Sequence, residues 1–90
     1  MIERDAGLCR LGGDLTLETV PDLLEKIRPL LRDGVDTLDC SGVQSVDSSA
    51  LGFVLACKRE AATRQKGLKV TGLPPSLLSL ASLYGVADQL

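Results

Sequence analysis

The chain has 90 residues, of which 44% are apolar and 24% charged, and a net charge of −2. That composition suits one small globular core and is too apolar for intrinsic disorder. With Phe53 and Tyr84 as its only aromatic residues, it is too poor in positive charge and stacking rings to bind nucleic acid.

The chain has no His. This excludes a Ser-His-Asp triad, a Cys-His pair, an HExxH zinc site and an imidazole general base. Cys9, Cys40 and Cys57 are odd in number and widely spaced. They make neither a complete disulfide framework nor a good metal site, and read as reduced, buried thiols of a cytosolic protein. The start Met1-Ile2-Glu3-Arg4-Asp5 is charged, unlike a signal peptide. The longest run without a polar side chain, Ala50 to Cys57, is far too short to span a membrane. Direct membrane insertion is not expected, so any membrane contact must come through a partner. No cofactor is expected either, since GxxxxGKS and GxGxxG are both missing.

In chain order, Leu8 to Gly13 reads as a short strand, with Gly12-Gly13-Asp14 turning the chain. Thr19 opens a helix, Pro21 suits its first turn, and Asp22 stands where a capping box needs an acid. Leu23, Leu24, Ile27, Leu30 and Leu31 keep helical spacing. Pro29 predicts an irregularity, and Asp33-Gly34 a stop. Val35 to Cys40 reads as a strand with Leu38 and Cys40 on one face, Ser41-Gly42 as a turn, and Val43 to Val46 as a connector. A second helix is expected from about Ser48 to Gln65, a strand over Leu68 to Thr71, and a third helix from Ser76 to Tyr84 after Pro74-Pro75, stopped by Gly85. Strands alternating with helices predict an α/β domain, residues 1–90, with at least part of its sheet parallel.

The most unusual stretch is Val46-Asp47-Ser48-Ser49-Ala50-Leu51-Gly52-Phe53-Val54-Leu55. Asp47 or Ser48 can cap the helix that starts here. Ala50, Phe53, Val54, Cys57 and Ala61 form one apolar stripe, and Leu51, Leu55 and Ala62 another beside it. A helix apolar all round is either wholly buried or offers a hydrophobic patch to a partner. Complete burial is hard in so small a domain, so the expectation is a partner surface built from Asp47, Ser48, Ser49, Ala50, Leu51, Phe53 and Val54.

Leu38-Asp39-Cys40-Ser41-Gly42-Val43, followed by Val46-Asp47-Ser48-Ser49-Ala50-Leu51-Gly52, resembles the signature of STAS domains. These are named for sulfate transporters and anti-sigma factor antagonists. The resemblance runs from about Leu8 to Leu90 and implies a small mixed β-sheet with about three helices packed on one side. Ala50 departs from the family's usual Gly and adds a methyl group where a partner would approach. The resemblance implies a non-enzymatic binding module with one of two partners. In the cytoplasmic STAS subunit of the Mla ABC transporter, which maintains outer-membrane lipid asymmetry by moving phospholipid, the domain sits on the ATPase and, through it, on a membrane permease. In anti-sigma factor antagonists a partner serine kinase phosphorylates the serine at the position of Ser49, with Ser48 beside it. The closing stretch Leu80 to Leu90, with its Leu83-Tyr84 pair, resembles the transporter subunit, whereas Ser48-Ser49 looks more like the antagonist motif. The closing stretch favours the transporter branch, placing the chain in the cytoplasm, peripheral to the inner membrane through its partners.

Other features read plainly. Lys58-Arg59-Glu60 with Arg64 and Lys66 is expected to be a solvated helix face, and Ser76, Ser79 and Ser82 the outer face of the third helix. Asp39 is either an ordinary strand-end residue or part of an acidic pocket with Asp47. A hydrolase using Asp39, Asp47 and Ser49 is the enzymatic alternative, weak for want of a cationic or metal-binding partner.

Overall fold

A computed structural model describes residues 2–90, and Met1 lies outside the described residues. The chain runs β1 (Ile2–Asp5), β2 (Leu8–Leu15), α1 (Val20–Arg32), β3 (Thr37–Val46), α2 (Ser49–Ala62), β4 (Lys69–Thr71), α3 (Pro75–Leu83) and a 3-10 turn (Ala87–Gln89). The sheet order is β1-β2-β3-β4. β1 pairs antiparallel with β2, while β2–β3 and β3–β4 are parallel. The sheet is therefore mixed, as the STAS resemblance implies, and its parallel part is what the alternation of elements predicts.

Each parallel step is a strand-helix-strand crossover, and both steps advance in the same direction across the sheet. Right-handed crossovers that advance the same way put their helices on the same face. Burial agrees: Cys9, Leu11, Leu38 and Cys40 face the helices and are buried, while their strand neighbours Arg10, Thr37 and Asp39 are not. Ile27 and Leu31 of α1, Phe53, Val54 and Cys57 of α2, and Leu77 and Ala81 of α3 complete the core.

Several expectations are corrected. β1 has no signal in the sequence, because Glu3, Arg4 and Asp5 carry no apolar alternation; it is an edge strand with all three exposed. The turns expected at Gly12-Gly13-Asp14 and Ser41-Gly42 are strand interior. The register slips by one residue between Arg10 and Gly12 and again between Gly13 and Asp14, so β3 carries two extra residues opposite β2. These are bulges, which use the same permissive residues as turns. Gly13, at φ +83°, sits at the second slip. β3 consequently runs on through the expected connector to Val46.

Pro29 does not interrupt α1. It stands one turn from the helix end on the exposed side, so the carbonyl it leaves without an intrahelical donor can face water. The capping box at Thr19 does not form. The Thr19 hydroxyl instead donates to Asp14 O at 2.7 Å and accepts the Thr16 N–H at 2.9 Å, while Asp22 pairs with Lys26 at 2.9 Å. α2 ends at Ala62, three residues before the expected stop. α3 closes on Gly85 (φ +72°), with the Val86 N–H on Ala81 O and the Gly85 N–H on Ser82 O, a Schellman ending.

Candidate partner-binding site at the start of the second helix

Asp47 follows the last residue of β3 and organises the site. One carboxylate oxygen accepts the Ser49 N–H at 2.8 Å, and the other accepts the Leu17 N–H at 2.9 Å. The side chain thus caps α2 and ties it to the turn between β2 and α1. The Leu17 N–H first, and Ser49 after it, hold the Asp47 carboxyl below the ordinary carboxylate range. Between the two capping candidates, Asp47 does the work: Ser48 is the N-cap residue, yet its side chain makes no capping bond. Ser48 is exposed and Ser49 half-buried.

The apolar residues behind them lie elsewhere than expected. Ala50, Phe53 and Val54 are 0% exposed and Leu51 5%. They belong to the core, so the patch expected on them is not a surface, and the extra methyl of Ala50 points inward. Complete burial succeeds because α2 lies between α1 and α3 and above the sheet. What this helix start presents outward is Ser48 and Gly52, with Ser49 and Leu55 half-covered. Nothing lies within 4 Å of where a Gly52 side chain would start.

Sequence reasoning missed Leu17. It is 73% exposed, one carboxylate away from Ser49, and only its place between two turn-forming threonines could have hinted at this. Leu83 and Tyr84 are also exposed, at 77% and 59%, because the Schellman ending turns the chain inward only at Val86.

Asp39 does not join Asp47. It lies on the open sheet face, where it is paired in register with Arg10 and accepts the Ser41 N–H at 3.0 Å, which holds its carboxyl below the ordinary range. The cleft it lines also takes Glu3, Arg10 and Ser41 but not Asp47 or Ser49. Asp39, Asp47 and Ser49 are thus not assembled into one site, and Asp47, with both oxygens engaged, is a poor proton acceptor. Among the described residues no group of three or more His, Cys, Asp or Glu could hold a metal ion.

The three thiols are free and buried. Burial pushes Cys40 up to about 11, helped by Asp39, and Cys57 up to about 12, helped by Cys40. Such thiols stay protonated and unreactive in the fold. Arg59, Arg64 and Lys66 are exposed as expected, but Glu60 is not part of a solvated face. Its side chain is 16% exposed and lies between Arg28 and Arg32 of α1, at 4.0 and 3.4 Å. Ser76, Ser79 and Ser82 do form the outer face of α3.

A parallel-stepping sheet with its helices on one face and an Asp-Ser-Ser helix start at the end of a long strand defines a STAS domain. The chain belongs to the STAS family: the family model described as "Mlab, STAS domain" matches residues 2–90. It is also similar to the anti-sigma-B factor antagonist of Staphylococcus aureus, with 27% identity over 81 residues, 88% of this chain and 75% of the relative. Among solved structures, the anti-sigma factor antagonist SpoIIAA in its unphosphorylated form superimposes with a TM-score of 0.75 at 21% identity, covering 98% of this chain and 82% of the other. The phosphorylated form of the Bacillus cell fate determinant SpoIIAA gives a TM-score of 0.70, also at 21% identity, over 98% and 85%. At such identities the likeness speaks to the fold.

Proposed function

We propose that this chain is a non-enzymatic STAS subunit that binds and stabilises the ATPase of a bacterial ABC transporter moving phospholipid to maintain outer-membrane lipid asymmetry. The carrying observation is the match of residues 2–90 to the Mlab-type STAS model. The site is compatible with a docking role. Asp47 presents Ser48 and Ser49 at a rigid helix start, and Gly52, one turn on, leaves room for close approach. No helix among the described residues is long and apolar enough to cross a membrane. In this reading the subunit is cytoplasmic and reaches the inner membrane only through its ATPase and permease.

A second reading is favoured by a specific observation, the similarity to the Staphylococcus aureus antagonist. Here the partner is an anti-sigma factor kinase, and phosphate on Ser49 or Ser48 places about −1.5 to −2 charges beside Asp47. Affinity purification of the tagged chain from its native host separates the two. Co-purification of an ABC ATPase with its permease is the expected result. Recovery of a small serine kinase alone moves the assignment to the antagonist.

A further inference from the structure

We infer that Leu17 is the apolar anchor of the partner surface, and that the partner carries an apolar socket rimmed by Lys or Arg to receive it. The inference rests on the reading above only in placing the partner at the start of α2.

A single exposed leucine is ordinary on a protein surface. Leu17 differs in how it is held. Its own N–H is fixed by Asp47 at 2.9 Å, the Thr16 N–H by the Thr19 hydroxyl at 2.9 Å, and that hydroxyl by Asp14 O at 2.7 Å. The Thr19 and Val20 N–H groups both close on Thr16 O, at 3.0 and 2.9 Å. The turn is therefore preorganised, and an apolar side chain on it docks without first paying to order its backbone. The same Asp47 that fixes the Leu17 backbone caps the helix start bearing Ser48 and Ser49, so one carboxylate holds the anchor's turn and the serines' helix in fixed relation.

The rim gives the partner's charge. Asp14, Glu18 and Asp22 are exposed and line one open cleft with Lys26; Asp22 and Lys26 pair at 2.9 Å and cancel, which leaves Asp14 and Glu18 as the uncompensated charges. With Glu18 next to Leu17 in the chain and the Asp47 carboxylate on the Leu17 N–H, the charged groups tied to this turn are acidic. The complementary surface is apolar inside and basic outside.

The test measures the affinity of the full chain for the purified ATPase subunit of the host's phospholipid-transport ABC system. Leu17→Ser should weaken binding by about tenfold or more, as loss of a buried leucine does. Leu17→Met should bind like the parent, and all variants should melt with it. If the parent binds and Leu17→Ser binds equally, the anchor is overturned while the ATPase reading stands. Loss of binding by Leu17→Met as well as Leu17→Ser also overturns it, since an apolar socket accepts either side chain. If the parent ignores the ATPase, the ATPase reading fails and the series is repeated on the anti-sigma factor kinase. There a tenfold loss with Leu17→Ser upholds the anchor, and equal binding overturns it. A parent that binds neither protein overturns both conclusions.

Discussion

Asp47 concentrates the physics of the site in one carboxylate. Both oxygens accept backbone N–H groups from different elements, and both bonds favour the ionised form. The carboxyl therefore titrates lower in the folded chain than in the unfolded one, where the ordinary value is 3.8. A group depressed in this way stabilises the fold above its unfolded value, and the contribution is lost as pH falls through the folded value. Asp47→Asn keeps the shape but loses the charge. It should melt below the parent at pH 7, and the gap should narrow as the pH is lowered below 3.8. Thermal melts of the pair across that range provide the check, and a gap independent of pH would mean that the charge is not what holds the turn.

At the scale of elements, α2 explains both what was legible and what was not. The Asp-Ser-Ser start and the apolar stripe over Ala50, Phe53, Val54, Cys57 and Ala61 located the helix, and all five stripe residues are buried. Whether an all-apolar helix faces core or partner depends on what covers its second side, here α1 and α3, and local pattern carries no such information. The same limit hid β1 and turned two bulges into turns, since register belongs to a pair of strands and not to either alone. Leu17 escaped for a related reason: its importance comes from a hydrogen bond made thirty residues away. Gly52 is the residue where the element's stability and its use diverge. It is helical, exposed and unobstructed. Gly52→Ala should raise stability by about 0.5–1 kcal/mol, the usual gain for removing a helical glycine. Gly52→Glu should fold as well as the parent yet lose its partner, because the added chain fills the approach beside Ser48. Denaturant melts and a binding titration on both variants read the two effects separately, and full binding by Gly52→Glu would place the partner away from this helix start.

Across the whole molecule, exposed apolar side chains occupy two electrically different settings. Leu17 is exposed on a turn that carries Asp14 and Glu18, with the Asp47 carboxylate on its N–H. Leu78, Leu83 and Tyr84 sit on α3 and its end, within a stretch from Val70 to Ala87 that contains no charged residue. A partner held at the first setting meets acidic groups whose field salt screens, whereas the second has no charged residue of its own between Val70 and Ala87. The affinity for the ATPase should therefore fall as salt is raised from about 0.05 to about 0.5 M, where the screening length drops to a few ångströms. Most of that loss should appear as slower association, since charges around an interface act chiefly on encounter. Surface-resonance kinetics over the salt series give both numbers. The double variant Leu83→Ser/Tyr84→Ser should keep the parent's affinity and its salt dependence. An affinity indifferent to salt and lost in that double variant would put the docking surface on α3, and the acidic groups on the Leu17 turn would then serve only to keep the molecule soluble.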